Sequence, residues 1–414
     1  MFELLFHKPA YLARHREAPY AEERSRYLSH CARAGYSQAT LQLKARELLW
    51  IARKLSVYPD LHVTLEQIET VAQEWGERQR QWGQKLNQRW TRTRFVEVAR
   101  AWLRFLGCLH KPQDPIPFAE KLESFARWEE REKGLAHSTI KCRAGFLGQF
   151  FRWYGGKKRA LEEIGSADID AFLVHYGANG HCRVTMRNMA NILRAFFRYG
   201  ALNGWCHPKL PDLIRGPRIF SCETLPAGPN WSQVRQLLSD LDTDHPADVR
   251  DRPILMLFAI YGLRASEVTA LRLEDLDWEH DLIHVRRVKT VRIQSYPLLP
   301  SVGNAILRYI RNVRPSGVQR EIFLKLLPPL RPLTRSCLYS LTRKRLIAAS
   351  LQAPHYGPHL LRHACAVHLL SEGLTLKEIG DHLGHRSASA TRIYAKVDLV
   401  GLREVADFDL GGLL

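Results

Sequence analysis

Apolar residues recur at helical spacing through most of the chain. In residues 39–55, leucine, isoleucine and alanine return every three or four positions with charged residues between them, as in an amphipathic helix. A second helix is predicted to begin at Thr64, because Thr64 and Gln67 have the spacing of a capping box. A third helix is predicted for residues 92–106. The prolines in residues 111–117 then predict a linker.

A second segment repeats this order of elements. Residues 138–154 have the apolar spacing of the first helix, a short helix is predicted to begin at Ser166, and residues 183–199 form the last helix. The two segments also end alike, since aromatic residues and arginines precede Gly107 in one and Gly200 in the other. We interpret the pattern as an internal duplication of a small helical module, offset by roughly 95 to 100 residues.

The last part of the chain combines helices with one short β-hairpin. Prolines in residues 208–217 predict a second linker, and helical spacing returns from Trp231 onward. Residues 281–286 and 295–298 instead alternate as short strands around a turn near Thr290. The predicted fold class is therefore mainly α with a small β-sheet in the C-terminal domain. The predicted domains are residues 1–115, 116–220 and 221–414.

The composition favours a globular protein with a polyanionic partner. The 414 residues are 45% hydrophobic, which is not the profile of a disordered chain, and the formal net charge is +19. Such an excess of positive charge favours double-stranded DNA, which carries roughly one negative charge per 1.7 Å of axis. On charge alone, a basic ribosomal protein and a membrane-surface protein are the alternatives.

Several classes of protein find no support in the sequence. The eight cysteines are scattered and contain no C-x-x-C pair, so we expect reduced thiols and neither a zinc site nor a disulfide framework. The N-terminal residues lack the basic and long apolar regions of a signal peptide. The longest apolar run, residues 253–263, is shorter than the ~20 residues that cross a bilayer. We therefore expect a cytoplasmic, nucleoid-associated protein without a membrane partner.

Two arginines in the last third of the chain have positions suited to binding a phosphodiester. Arginine keeps its charge and donates two parallel hydrogen bonds to phosphate oxygens. Arg264 follows Gly262 at the predicted junction between two helices, where an arginine can turn towards a ligand. Arg362 lies three residues after His359, so both side chains occupy one face of the helix that Pro358 begins.

Tyr394 is the predicted nucleophile. A phenol with a pKa of about 10 is scarcely ionised at neutral pH, so it needs neighbouring cations and a proton acceptor. A covalent intermediate divides one difficult step into two and conserves the energy of the broken bond for rejoining. The sequence contains no acidic cluster typical of a metal nuclease, so we expect neither a metal nor another cofactor.

The order and spacing of these residues resemble those of the tyrosine recombinase family, over about residues 116–400 and most strongly from Asp251 onward. The resemblance implies a recombinase catalytic domain, preceded by helical modules similar to the core-binding domain that clamps DNA. It also implies roles at a scissile phosphate for seven residues. Arg264 and Arg362 bind the phosphate, Glu267 supports Arg264, and His385 hydrogen-bonds the phosphate. Lys289 is the general acid towards the leaving 5′ hydroxyl, His359 transfers protons, and Tyr394 forms a 3′-phosphotyrosyl bond.

The assignment of Lys289 leaves alternatives open. The predicted hairpin turn lacks the glycines that the family often has there, and Arg287 and Arg292 flank the same turn. Either arginine is a rival for the position of the general acid.

The leading hypothesis is an enzyme that cleaves and rejoins DNA strands to recombine specific sites, as the integrase or transposase of a mobile element. A topoisomerase of the same chemistry and a catalytically silent DNA-binding protein are the alternatives. Residues 398–408 resemble the C-terminal helix that recombinases dock onto a neighbouring subunit. We therefore expect a homo-oligomer, a tetramer on paired DNA sites, which can also include other recombinases.

Overall fold

The computed structural model describes residues 1–55, 63–81, 88–109, 116–155, 160–220, 228–287, 292–317, 319–353, 355–385, 387 and 390–396. Lys289, the hairpin turn around it and the tail from Asp398 lie outside the described residues. The chain divides into two compact units, one formed by Met1–His110 with Thr224–Leu414 and the other by Lys111–Glu223. The division into three domains stays a prediction.

Helices build the N-terminal part of the first unit. They are α1 Phe2–Leu5, α2 Pro9–Arg16, α3 Ala21–Arg33, α4 Gln38–Leu55, α5 Leu65–Gln81 and α6 Gln88–Leu106. The predicted capping box begins α5, because the Thr64 amide donates to the Gln67 side chain (2.8 Å) and the Gln67 amide donates to the Thr64 hydroxyl (3.2 Å). The apolar stripes of these helices meet in a core around the fully buried Phe95 and Trp102.

The second unit repeats four of these helices in the same order. Its helices are α7 Ala119–Lys133, α8 His137–Gly155, α9 Ser166–Ala178, α10 Arg183–Leu202 and the short α11 Leu210–Leu213. The first four begin 95 to 101 residues after α3, α4, α5 and α6, which supports the interpretation of a duplicated module. Phe150, Phe196 and Phe197 are fully buried in the core of this unit, where Phe197 contacts the other two rings edge to face.

The C-terminal part of the first unit is mainly helical and contains one antiparallel sheet. Its helices are α12 Trp231–Asp240, α13 Pro246–Ala259, α14 Ala265–Ala270, α15 Pro300–Asn312, α16 Arg335–Ala348, α17 Pro358–Ser371 and α18 Leu376–Leu383, and a 3-10 helix covers Arg392–Lys396. The sheet has the strand order β1 Leu276–Asp277, β2 Leu282–Arg287 and β3 Arg292–Pro297, and Ile283 lies opposite Tyr296. The predicted fold class is confirmed, and β1 is a strand that the sequence pattern did not indicate.

Two of the helices that carry the candidate site, α14 and α17, pack against α13. Ile254 and Phe258 of this helix are fully buried, and α13 contacts both α15 and α17. A buried carboxylate adds a polar link, since Asp251 of α13 accepts hydrogen bonds from Arg250 (2.7 Å) and from Arg345 of α16 (2.8 Å). Within the described part of the chain, no helix is both long and apolar enough to cross a bilayer.

The N-terminal helices meet the C-terminal part just after α3. The amide of Leu330 donates a hydrogen bond to the carbonyl of Ala34 (3.0 Å). Gly35 has a φ of +89°, and a Cβ there would lie 2.6 Å from the Leu330 side chain. A residue with a side chain would therefore be strained at this position and would displace the Leu330 side chain.

Candidate active site

The C-terminal end of α18 brings three arginines together. The last carbonyls of a helix have no partner within the helix and carry partial negative charge, so cations are favoured there. Each guanidinium donates to one of three successive carbonyls: Arg287 to His382 (3.1 Å), Arg362 to Leu383 (2.8 Å) and Arg264 to Gly384 (3.1 Å). Two of these arginines are those that the sequence assigned to the phosphate.

A buried carboxylate offsets part of this positive charge. Arg264 is the N-cap of α14, and its amide and guanidinium both donate to Glu267 (2.8 and 2.9 Å). The Arg264 guanidinium donates to Oε1 of this carboxylate, and Arg287 donates to Oε2 (2.7 Å). Glu267 is 3% exposed, and it therefore fixes two guanidinium groups at once.

Two glycines allow this close packing. Gly262 (φ +58°) and Gly384 (φ +64°) both have left-handed backbone conformations that favour glycine. A Cβ at Gly262 would lie 2.3 Å from the Leu383 side chain, and a Cβ at Gly384 would lie 2.7 Å from Nε of Arg287. Arg362 also donates to the Gly262 carbonyl, so the turn before Arg264 is part of the cluster.

Tyr394 lies in the 3-10 helix with its side chain buried. Its hydroxyl is 2.8 Å from Nδ1 of His363, and the two rings meet edge to face with centroids 5.6 Å apart. Burial raises the pKa of Tyr394 to about 12, although the charge of Arg362 acts in the opposite direction. The phenol is therefore protonated at neutral pH in this structure.

Burial keeps the histidines of the cluster neutral. The pKa of His385 is lowered to about 4 by burial and then by the positive charges of Arg362 and Arg264. Its Nδ1 lies 2.8 Å from the Thr391 hydroxyl. If that hydroxyl donates, the His385 proton is on Nε2, which is then a neutral hydrogen-bond donor. Burial also lowers the pKa of His363, with smaller contributions from His359 and Arg362.

Arg362 keeps its charge despite its burial. Only 5% of the residue is exposed, and burial together with Arg264 lowers the pKa of Arg362 to about 10. This value still leaves the guanidinium positive at neutral pH. Each terminal nitrogen uses one N–H on a carbonyl and retains a second N–H.

The remaining predicted residues differ in their exposure and in whether the structure describes them. His359 is exposed in the first turn of α17, one turn before His363. Lys289 lies outside the described residues, so its position is not tested. Of its two rivals, Arg292 is exposed at the start of β3, whereas Arg287 is 4% exposed and ion-paired with Glu267. Arg287 is therefore held within the cluster by Glu267, and the choice of general acid among Lys289, Arg287 and Arg292 stays a prediction.

Sequence reasoning did not assign supporting roles to three residues of this arrangement. Arg287 supports the cluster from β2, Tyr296 donates to the His382 carbonyl and accepts from Arg287, and His363 contacts the phenol of Tyr394. The alternation in β2 carried a signal for the first, because Ile283 and Val285 share the buried face with Arg287. The described residues contain no group of three or more histidines, cysteines, aspartates or glutamates that could hold a metal ion.

Comparisons with known proteins identify the family. Residues 230–399 match the phage integrase family, and residues 122–205 match the N-terminal SAM-like domain of phage integrases. The integrase/recombinase-type protein y4rA of Sinorhizobium fredii is 32% identical over 298 residues, which cover 71% of each chain. The chain belongs to the tyrosine recombinase, or phage integrase, family. It is thus an enzyme of DNA strand breakage and rejoining, and neither alternative function gains support.

Other relatives and solved structures agree with this placement. The recombinase is 28% identical to the tyrosine recombinase XerA of Thermococcus kodakarensis over 288 residues, 70% of this chain and 94% of the other. XerH bound to palindromic difH DNA after cleavage shares the fold, with a TM-score of 0.53, 18% identity and coverage of 93% and 94% of the two chains. A lambda integrase (75–356) dimer bound to a core site has the same TM-score, 16% identity and coverage of 66% and 96%.

Proposed function

We propose that the recombinase cleaves duplex DNA at specific sites by attack of Tyr394 on a scissile phosphate. The observation that carries this proposal is the cluster at the end of α18. There Arg264 and Arg362 donate to adjacent carbonyls, and His385 follows directly and contacts Thr391 in the segment that leads to Tyr394. The charge of Arg362 also acts on Tyr394, so in this proposal a phosphate bound by the arginines has a neutral donor and the nucleophile as neighbours.

Fixed positive charge is the main source of transition-state stabilisation in this proposal. Negative charge increases on the non-bridging oxygens as the phenolate attacks, and donors that are already oriented need no rearrangement to bind it. Glu267 and the carbonyls of α18 hold the guanidinium groups in place before DNA arrives. His385 adds a hydrogen bond without adding charge.

Proton movements complete the two transesterifications. The Tyr394 hydroxyl gives up its proton as its oxygen bonds to phosphorus, and the bond from phosphorus to the 5′ oxygen breaks. Lys289 supplies the proton to the leaving 5′ oxygen, and His359 accepts and returns protons at the phosphate. Rejoining reverses each step, with a 5′ hydroxyl as nucleophile and the phenol as leaving group, so the number of phosphodiester bonds is conserved.

His363 controls the nucleophile before cleavage. A buried phenol needs a hydrogen-bond partner, and His363 is neutral and 2.8 Å away. A neutral imidazole at this distance orients the hydroxyl until the phosphate approaches. His363 is thus a positioning residue, one turn of α17 after the exposed His359.

The substrate and assembly follow from the family and from charge. The net charge of +19 suits a partner with a phosphate backbone, and the duplicated helical modules clamp the duplex in this proposal. The similarity to y4rA favours integration, excision or transposition of a mobile element. A tetramer on paired sites, linked through residues 398–408, completes the proposed assembly.

Recovery of DNA junctions tests this function. The protein is expressed with its flanking genomic DNA on a plasmid, and new junctions are sequenced. We expect reciprocal junctions at one defined site, without loss of nucleotides, because the phosphotyrosyl bond preserves each phosphate. Relaxation of supercoiled plasmid without any junctions would instead identify a topoisomerase, and binding without strand breakage would identify a silent DNA-binding protein.

A further inference from the structure

The N-terminal helices enclose a cavity that the cleavage chemistry does not use. The cavity has a volume of about 520 Å³ and lies among α2, α4, α5 and α6. This volume is within the range of sites that hold small organic ligands. Its inner wall is apolar and aromatic, with the buried Leu49 and Trp75 beside the half-buried Trp50.

Positive charge surrounds this apolar wall. The described residues that line the cavity include five arginines and no carboxylate; the arginines are Arg14, Arg46, Arg53, Arg78 and Arg94. Arg94 is ion-paired with the buried Glu47, whereas the side chains of Arg14 and Arg46 are exposed. A concave surface lined by one sign of charge attracts ions of the opposite sign.

One residue of the cavity wall is a buried histidine that the nearby arginines affect. His15 lies in the cavity wall and is 2% exposed. Burial lowers the pKa of His15 to about 4, and the charges of Arg24, Arg14 and Arg46 act in the same direction. His15 is therefore neutral at neutral pH, and an anion on the neighbouring arginines would offset their positive charge.

The aromatic wall offers flat surfaces to a ring. The Trp50 and Trp75 rings have centroids 5.8 Å apart, and the guanidinium of Arg78 lies over the Trp50 ring at 4.6 Å. Nucleobases stack on aromatic side chains, and arginine adds cation–π contributions to such sites. The cavity thus combines a surface for a planar ring with a rim for an anion.

We propose that this cavity binds a nucleoside phosphate, with the phosphate on the Arg14 and Arg46 rim and the base against Trp50. Two sources have this chemistry: a free nucleotide, and a nucleotide of the DNA strand that the recombinase holds. The site goes beyond the cleavage function, because none of its lining residues belongs to the cluster around Arg264, Arg362 and Tyr394.

Calorimetric titration of the full-length protein tests the site. The probes are deoxyadenosine monophosphate, deoxyadenosine and inorganic phosphate. We expect saturable binding of the monophosphate and at least tenfold weaker binding of the other two, because each lacks one of the two recognised groups. Binding of phosphate as tight as that of the monophosphate would overturn the proposal in favour of a simple anion site.

Variants distinguish binding in the cavity from a general effect of positive charge on the affinity for the monophosphate. Trp50→Leu keeps an apolar side chain and should weaken monophosphate binding about tenfold, which is within the usual contribution of base stacking. The double variant Arg14→Gln with Arg46→Gln should weaken it at least as much. The matched control, Arg26→Gln with Arg33→Gln, removes the same charge from exposed positions on α3 and should bind as wild type does. Thermal unfolding of each variant confirms that it is folded.

Measurements of DNA binding distinguish the two sources of the nucleotide. If the nucleotide belongs to DNA, Trp50→Leu lowers the affinity for a duplex with a single-stranded end, and saturating monophosphate competes with that DNA. If the nucleotide is free, the monophosphate binds equally to free and DNA-bound protein. The proposal fails if wild type shows no saturable binding of the monophosphate and Trp50→Leu binds DNA as wild type does. Equal losses in the cavity variant and the α3 control would also overturn it.

Discussion

Among the three arginines at the end of α18, Arg264 is the one that remains accessible. Its side chain is 22% exposed, whereas the side chain of Arg287 is 4% exposed. Arg287 donates hydrogen bonds to Glu267, to Gln294 and to the carbonyl of His382 in α18, and these contacts hold the cluster together. Arg264 is therefore the arginine best placed to reach an incoming phosphate.

Replacement of Arg264 tests this difference in role. Arg264→Ala should slow cleavage about 10²–10³-fold, because a preorganised donor to the transition state is lost. DNA affinity should stay close to that of wild type, since the chain has 61 lysines and arginines and we expect many of them to share the backbone contacts. Single-turnover cleavage and gel-shift affinity measure the two quantities, and Arg343→Ala, at an exposed position on α16, is the control. Equal losses of binding and cleavage would refute this role.

His385 gives the stability of the fold a dependence on pH. Its pKa is about 4 in the folded protein and about 6.5 in an unfolded chain. The unfolded state therefore binds more protons between these values, and the folded state loses stability as the pH falls from about 6.5 towards 4. His385→Gln retains a donor and does not titrate. Its urea midpoint should fall less between pH 7 and pH 5 than that of wild type; identical decreases would contradict the prediction.

At the scale of elements, the end of α18 organises the site. Three guanidinium groups from β2, from α17 and from the residue before α14 converge on three consecutive carbonyls. Gly384 makes this possible, because its left-handed conformation ends the helix and its lack of a side chain leaves room for Arg287.

Two glycine variants separate backbone strain from crowding. The left-handed conformation costs an alanine ~1 kcal/mol. Gly384→Ala should lower the free energy of unfolding by more than this amount and should also impair cleavage. Gly373→Ala has the same kind of strain (φ +86°), but no atom lies within 4 Å of its Cβ, so only the strain is expected. Denaturant unfolding and cleavage assays compare the two. Similar losses in both variants would mean that contact with Arg287 is unimportant.

Sequence periodicity predicted the elements better than their contacts. The helices predicted from residues 39 and 138 begin at Gln38 and His137, and the hairpin strands occur close to the predicted positions. These features depend on local spacing and capping. The partners of Arg287 and the contact of Leu330 with Ala34 depend on how distant segments pack, and no short-range pattern encodes them. The residues that we propose to bind phosphate were predictable, because the family resemblance carries their order. The residues that support them in the structure were not predictable in this way.

At the scale of the whole molecule, side chains supply the positive charge of the site. Cleavage should therefore persist in excess EDTA at the rate seen in magnesium, apart from effects of ionic strength on DNA binding. The rate of adduct formation with and without EDTA, at matched ionic strength, is the measurement. Strict dependence on a divalent cation would favour a metal nuclease over phosphotyrosyl chemistry.

The formation of a covalent adduct tests the central claim most directly. A suicide substrate with a nick next to the cleavage site releases a short fragment after attack, so the protein stays linked to DNA. Wild type and the control Tyr339→Phe, at an exposed tyrosine of α16, should both form a detergent-stable adduct, and Tyr394→Phe should form none. An adduct of Tyr394→Phe at the wild-type level would assign the nucleophile to another residue and contradict the account.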